Sequence, residues 1–158
     1  MIEWLMGTFW GRIIATVGVS MIPVLELRMG IPFGVALGLN HWVAFCASVV
    51  GNMIPVPFIL FFIEWIFKWL KRFDRTRGTI EKLEKHANNK GDMVRKYSAI
   101  GLFLLVAVPL PGTGAWTGAL VAALLQLPPK KSMPIIFLGV LVAGMLILGI
   151  TYGFTVVF

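Results

Sequence analysis

The sequence predicts an all-α integral membrane protein made of two inverted repeats, each a re-entrant helical hairpin followed by a membrane-crossing helix. Of its 158 residues, 58% are hydrophobic and only 13% carry charge, whereas about a quarter of a soluble domain is charged. The apolar residues form four blocks, each longer than the roughly 20 residues that cross a bilayer. Two blocks are interrupted by prolines and glycines, which would weaken a simple membrane span.

The four blocks are Ile13–Leu39, Val43–Leu70, Ala99–Leu127 and Ser132–Phe158. We therefore divide the single polytopic domain, residues 1–158, into an interfacial helix (1–12), re-entrant hairpin 1 (13–41), crossing helix 1 (42–70), a basic loop (71–96), re-entrant hairpin 2 (97–131) and crossing helix 2 (132–158). Each of these elements has its own sequence signal.

Residues 1–12 predict a helix that lies on the membrane surface. Their apolar side chains recur on one helical face, with Glu3 and Arg12 elsewhere. Trp4 and Trp10 are of the type that concentrates at membrane–water interfaces. We expect this helix to run along the membrane before the chain enters it.

Hairpin 1 contains the run MIPVLELRMGIPFGVALGL, in which Pro23 and Pro32 are predicted to break the helix. Glu26 and Arg28 are the charges within this run. A charge at membrane depth costs several kcal/mol unless it is paired or hydrated, so such residues are candidates for substrate or ion binding. The alternative is a structural ion pair that stabilises the hairpin tip.

Crossing helix 1 carries Asn52 near its centre, followed by Pro55 and Pro57. Proline kinks a membrane helix and leaves backbone carbonyls without a donor. Asn52 is therefore a candidate to bind a substrate or ion, and the alternative is a helix–helix hydrogen bond.

The basic loop indicates the orientation of the chain. Ten of the fourteen Lys and Arg residues lie between Lys68 and Lys96, and short loops rich in these residues stay in the cytoplasm. This placement favours an orientation signal over a nucleic-acid surface. We expect a multi-pass protein of the prokaryotic cytoplasmic (inner) membrane with loop 71–96 inside and both termini outside.

Hairpin 2 contains the run VAVPLPGTGAWTGALVAALL, in which Pro109 and Pro111 are predicted to break the helix. The limbs on either side of the break are about 16 and 21 Å long at 1.5 Å per residue, too short to cross alone. Lys130 and Lys131 follow the run, and a hairpin that returns to the cytoplasm keeps them inside.

The segment after this break predicts an anion site. Gly112, Thr113 and Gly114 would open a helix whose bare N–H groups and partial positive charge attract an anion. Thr113 is alternatively a plain N-cap. Trp116 would either stack on an apolar substrate or pack in the core.

The two halves show the same order of elements: a proline-rich break, a limb of small residues, a short polar corner and a long apolar block. Placing Ile22–Leu39 over Val108–Leu125 aligns Pro23 with Pro109. Because the two hairpins would enter from opposite faces, the halves are predicted to be inverted repeats. Inverted repeats with broken helices are the architecture of secondary transporters.

The runs PVLELRMGIPFGVALGL, GNMIPVP and PLPGTGAWTGAL, together with a basic loop that ends near RKYSAIGLF, carry a family resemblance. The chain resembles the small multidrug export protein family, which is similar to a compact form of the DedA, or VTT-domain (SNARE-associated), membrane proteins. The resemblance implies facing re-entrant hairpins and a transport role in moving lipid-linked carriers such as a polyprenyl phosphate. Thr113 and Gly114 stand where a DedA protein tends to have an arginine.

Three functions follow as expectations. The first is a proton-coupled transporter or flippase for an amphiphile with an anionic head, bound by Arg28 and the amides of residues 112–114. The second is a proton-coupled exporter of cationic amphiphiles, with Glu26 exchanging a proton for the drug. The third is a membrane chaperone or adaptor that transports nothing. We expect membrane lipids and a small amphiphile as partners, a homodimer, no nucleic acid, no cofactor, no metal site and no enzyme activity.

Overall fold

The structure is a computed structural model that describes residues 7–70, 78, 91–110, 113–125 and 127–153, with backbone alone for 64, 66–70 and 91–97. Its helices are α1 (Phe9–Met21), α2 (Glu26–Ala36), α3 (His41–Met53), α4 (Pro55–Leu70), α5 (Gly91–Ala107), α6 (Ala115–Leu124) and α7 (Pro129–Tyr152). The described residues contain no β-strand, so the all-helical class is confirmed for them. Most of the predicted basic loop, with residues 1–6, Pro111 and Gly112, lies outside the described residues.

Two stretches of helix are long and apolar enough to cross a membrane, judged by length and composition. They are His41–Ile63, with a mean hydropathy of 2.0, and Pro129–Tyr152, with a mean hydropathy of 2.6. The first joins α3 to α4 through Ile54, which keeps helical angles (φ −55°, ψ −49°) even though Pro55 supplies no N–H to the helix. Each agrees with one of the predicted crossing helices.

The two long helical stretches run antiparallel to each other. The rings of His41 and Tyr152 meet edge to face with centroids 4.6 Å apart. Further along, a β-carbon added at Gly144 would lie 2.6 Å from the Phe45 ring. The start of α3 and the end of α7 therefore lie at the same end of the molecule.

The remaining helices form two bundles around these stretches. In the first bundle α1, α2 and α3 pack against one another, and in the second α5, α6 and α7 do the same. The bundles meet where α2 and α3 contact α7 and where α4 packs on α6. Helix α1 is continuous through residues 12 and 13, so the predicted surface helix and the first limb of hairpin 1 share one helix from Phe9 onward.

Glycines set the spacing and the register of α2 against α3. A β-carbon at Gly34 would lie 2.9 Å from that of Ala44, and one at Gly30 would lie 2.8 Å from the Ser48 hydroxyl oxygen. Each step of four residues back along α2 thus matches four residues forward along α3, as expected for antiparallel helices. The same register, continued by one turn, brings Asn52 level with Glu26.

Candidate functional site at the meeting of two helix breaks

The first break in the chain is a short turn between α1 and α2. Helix α1 ends at Met21, and the N–H groups of Leu25 and Glu26 donate to the Ile22 carbonyl at 3.2 and 2.9 Å. Pro23 lies in this turn. Pro32, predicted as a second break, instead lies inside α2, whose helix continues to Ala36. The unwound backbone is therefore confined to residues 22–25.

Glu26 emerges from this turn with an unusual backbone. Its φ of 48° is positive, a conformation that costs a non-glycine residue roughly 1–2 kcal/mol. Its side chain is 95% buried, given a 5% exposed fraction, and its carboxyl contacts Gly114. The backbone N–H of Trp116 donates a hydrogen bond to that carboxyl. Glu26 therefore acts as a capping acceptor at the N-terminus of α6, although it comes from a distant part of the sequence.

Gly114 makes this contact possible. Its φ of +148° suits glycine, and any β-carbon there would collide with the Glu26 carboxyl. Gly114 is also the N-cap of α6 and provides no side chain to cap it. The prediction that Thr113 is the N-cap is therefore wrong, because its side chain is engaged elsewhere.

Arg28 binds the loop that precedes α6. Its guanidinium donates to the Thr113 carbonyl at 2.6 Å and to the Thr113 hydroxyl at 3.1 Å. The Thr113 hydroxyl in turn donates to the Val108 carbonyl at 2.8 Å and accepts from the Leu110 N–H at 3.1 Å. This hydroxyl ties Val108 and Leu110 to Thr113 across the second break, and the Thr113 carbonyl accepts from Arg28.

Trp116, on α6, donates a hydrogen bond back to the end of α1. Its indole Nε1–H donates to the Met21 carbonyl at 3.1 Å, which is one of the carbonyls that the end of a helix leaves without an intrahelical donor. We call Met21, Glu26, Arg28, Thr113, Gly114 and Trp116 the tip junction. In it, side chains that flank each break form hydrogen bonds with the backbone beside the other break.

The electrostatics of the tip junction are complementary. The acidic side chain faces the N-terminus of α6, where the helix dipole is positive, and the basic side chain faces a carbonyl and a hydroxyl. A narrow cleft beside Glu26 and Arg28 is lined by Leu27, Val106 and Ala143, among others. The charges are thus shielded mostly by apolar side chains.

Asn52 lies on α3 and is fully buried at the centre of the first apolar stretch. Neither Nδ2 nor Oδ1 has a hydrogen-bond partner, and the same is true of the Ser48 hydroxyl one turn earlier. The sequence interpretation missed Ser48 and the buried α1 residues Thr16 and Ser20. Thr16 and Ser20, like Ser48 and Asn52, are four residues apart in the sequence, and this helical spacing could have identified them.

No group of three or more His, Cys, Asp or Glu side chains in the described part of the chain is placed to hold a metal ion. Of the two histidines, His41 contacts Tyr152, and His86 lies outside the described residues. Neither the aromatic contact nor the spacing of these residues indicates a metal centre.

A family model described as "Putative small multi-drug export protein" matches residues 26–146. The chain belongs to this family. The match begins at Glu26 and includes both long apolar stretches except for the last turns of α7, so it covers the tip junction apart from Met21. Membership in this family and the two apolar stretches together support a membrane protein with a role in transport. Searches of curated proteins and of solved structures found no match.

Proposed function

We propose that the protein is a proton-coupled exporter of cationic amphiphiles, and that the tip junction is its substrate site. The observation that carries the proposal is the buried Glu26 carboxyl, which follows the first break and accepts its hydrogen bond from the Trp116 N–H after the second break. An acid in this position can bind either a proton or an organic cation. The family description, small multi-drug export, supports this class of substrate.

In this proposal the two breaks are the tips of re-entrant hairpins that meet near the middle of the bilayer. Asn52 is the central residue of the 23-residue stretch His41–Ile63, and Glu26 lies level with it. The bundles α1–α2–α3 and α5–α6–α7 repeat the same order of packing, which supports an arrangement as inverted repeats. Such repeats bind substrate at their interface and expose it to alternate sides by moving against each other.

The chemistry follows from competition for one carboxyl. In the closed junction the Glu26 carboxyl already accepts a hydrogen bond from the Trp116 N–H at the N-terminus of α6. When the halves separate, the carboxylate is released and can pair with a cation whose apolar part lies against Val106 and Ala143. Proton binding would then neutralise the carboxylate and release the cation. Arg28 restricts the site to one cation by adding a fixed positive charge nearby.

The transfer of an anionic amphiphile remains a second candidate. Opening the junction would also free the Arg28 guanidinium from Thr113 and the N–H groups at the start of α6 from Glu26, and both are suited to phosphate. The relation to DedA proteins and to polyprenyl phosphate is part of this second candidate. It is the weaker one, because the description of the matched family names multi-drug export and not the transfer of a lipid.

Ligand binding to three variants separates the two candidates. Glu26→Gln keeps an oxygen that can accept from Trp116 but removes the charge, so it should abolish binding of tetraphenylphosphonium, a cationic amphiphile. Arg28→Ala should leave this binding unchanged or stronger, and Arg28→Lys should resemble wild type. Lys130→Ala is the charge control, since Lys130 is exposed at the start of α7.

The opposite order would support the anionic candidate. If undecaprenyl phosphate binds to wild type, is lost in Arg28→Ala and is partly kept in Arg28→Lys, the site selects an anion. Tetraphenylphosphonium binding that survives in Glu26→Gln would contradict the exporter proposal.

The proposed topology has its own test. Loop 71–96 lies in the cytoplasm and both termini lie outside, so alkaline phosphatase fused after residue 158 should be active. A fluorescent protein at the same position should stay dark, and a control fusion within the basic loop should give the reverse pair of signals. A bright C-terminal fluorescent protein would contradict the odd number of crossings proposed after the loop.

A further inference from the structure

The first bundle contains a row of buried polar side chains that the tip junction does not use. On α1 these are Thr16 and Ser20, and on α3 they are Ser48 and Asn52, all with 0% exposed area. Ser20 and Ser48 meet at Gly30, where a β-carbon would contact the hydroxyl oxygens of both. One turn further along, Asn52 is level with Glu26. We call these four side chains the polar file.

The polar file reaches from the tip junction to one end of the molecule. Thr16 lies beside Gly34, one turn beyond the Ser20–Gly30 contact, and Arg12 lies beside Gly38, one turn beyond that. Gly38 leads into the corner before α3, which is the end that also holds His41 and Tyr152. The order along the file is therefore Arg12, Thr16, Ser20, Ser48, Asn52 and Glu26.

Direct hydrogen bonds do not connect this row. The hydroxyls of Thr16 and Ser20 donate to the carbonyls of Arg12 and Thr16, each at 2.8 Å. Successive levels are about 6 Å apart, four residues at 1.5 Å each, which is twice the length of a hydrogen bond. The Ser48 hydroxyl and both polar atoms of Asn52 have no partner in the protein.

Leaving three polar atoms buried without partners would cost roughly 1–3 kcal/mol for each group. Water removes this cost, because a single molecule bridges groups 5–6 Å apart with two hydrogen bonds. The lining side chains of Thr16, Ser20, Ser48 and Asn52 are neutral hydroxyl and amide groups, which offer no negative charge to hold a metal cation. Water is thus the ligand that fits the lining.

We propose that a file of water molecules lies along Thr16, Ser20, Ser48 and Asn52, and that Glu26 exchanges protons through it with the Arg12 end of the molecule. A proton that enters at the Arg12 end passes along the file, with one O–H bond broken and one formed at each water. The last water gives a proton to the Glu26 carboxylate, which becomes a neutral carboxyl. This inference rests on the proposed function, since it supplies the proton for export.

The surroundings of Glu26 leave this route open. Among the described residues, the charged group that acts on it is Arg28 on its own helix. Helix α6 presents the Trp116 N–H, α5 presents Val106 and α7 presents Ala143, and none of these groups titrates. Asn52 on α3 is a neutral polar group that the register of α2 on α3 brings level with Glu26, and in this proposal a water molecule connects the two side chains.

Hydrogen exchange between the Asn52 side-chain amide and water tests for the water file without a transport assay. The chain has asparagines at 40, 52, 88 and 89, so selective ¹⁵N-asparagine labelling gives few signals, and the one lost in Asn52→Leu is assigned. We expect the Asn52 side-chain amide to show a cross-peak with water and to exchange within seconds. An Asn52 amide that stays protected for hours, with no water cross-peak, would overturn the file.

Transport in proteoliposomes then tests the proton route. In Asn52→Leu and Ser48→Ala we expect uptake of tetraphenylphosphonium driven by a pH gradient to fall to the rate without a gradient, while binding is retained. Ser132→Ala is the matched control, because this serine is also fully buried but already donates to the Pro128 carbonyl at 3.2 Å.

Two outcomes of the transport assay are distinguishable. Wild-type rates in Asn52→Leu and Ser48→Ala would contradict the proton route and leave the exporter proposal intact. If wild type moves no cation at all, the exporter proposal fails, and the exchange of the Asn52 amide still decides whether the file holds water.

Discussion

The bundle α1–α2–α3 and the bundle α5–α6–α7 both bring helices together at glycines, but the side chains around those glycines differ. In the first bundle, Gly30 is enclosed by the hydroxyls of Ser20 and Ser48. In the second, a β-carbon at Gly139 would lie 2.7 Å from that of Val106, and Gly118 is enclosed by Val106, Leu102 and Ile136. One bundle is lined with polar groups and the other with aliphatic ones.

This comparison of the two bundles shows which residues are required for close helix packing and which are not. Close approach of two helices needs the glycines, and in a membrane small residues serve this purpose in general. The second bundle reaches the same closeness without a polar lining, so the polar side chains of the first bundle are not needed for packing. Since buried polar groups without partners destabilise a protein, a function for them in the first bundle is the simplest explanation.

The largest effect is expected where the bundles meet, at Gly114. Gly114→Ala places a β-carbon into the Glu26 carboxyl and forces alanine to adopt a φ of +148°. We expect a loss of about 3 kcal/mol in the free energy of unfolding, in line with backbone strain plus a broken contact. Thermal unfolding in detergent measures it. Gly101→Ala is the control, because nothing lies within 4 Å of that β-carbon; equal behaviour of the two variants would argue against the junction.

The next effect comes from making the second bundle resemble the first. Val106 is 1% exposed and packs between Gly118 and Gly139. Val106→Ser should therefore unfold more easily than Val106→Ala by about 1–3 kcal/mol, the cost of an unsatisfied hydroxyl. If serine is as well tolerated as alanine, the second bundle is hydrated too, and the contrast between the bundles fails.

A smaller effect is expected from the loop that Arg28 binds. Thr113→Val keeps the shape of the side chain but removes the hydroxyl that contacts Arg28, Val108 and Leu110. The loss should be about 1 kcal/mol, because the Thr113 carbonyl still accepts from Arg28. Thr151→Val, at an exposed position on α7, serves as the control in the same unfolding assay. A neutral Thr113→Val would mean that the carbonyl alone holds Arg28.

The predicted homodimer is tested by the association of two chains and not by unfolding. Cys46 is exposed and lies with Trp42 and Val50 in an open apolar groove on the first bundle, whereas the second bundle has no cysteine to cross-link. We expect mild oxidation in detergent to give a disulfide-linked dimer that is absent in Cys46→Ser. A monomeric mass in native mass spectrometry at all protein concentrations would contradict the dimer.

The sequence by itself indicated the helical class of the protein, two places where its helices break and several residues of the junction, although Pro32 lies inside α2 and does not break it. Composition alone favours a membrane protein, because 13% charged residues is about half the share found in a soluble domain. Pro23 and Pro109 fall in the two breaks because proline at those positions removes a backbone donor. Glu26, Arg28 and Trp116 stood out because charges and an indole next to such breaks need partners.

Only the tertiary structure decided which partners those are. Glu26 meets Gly114 and Trp116, and Arg28 meets Thr113, because the bundles bring two breaks together that are some 85 residues apart in the chain. Local pattern left Thr113 either in an anion site or as a plain N-cap, whereas in the structure Gly114 is the N-cap and the Thr113 hydroxyl contacts Val108 and Arg28. The same holds for Ser48 and Asn52: their spacing puts them on one face of α3, while their lack of partners depends on the glycine contacts that fix the register of α2. A sequence specifies which groups need a partner, and packing between distant segments determines which partner each one receives.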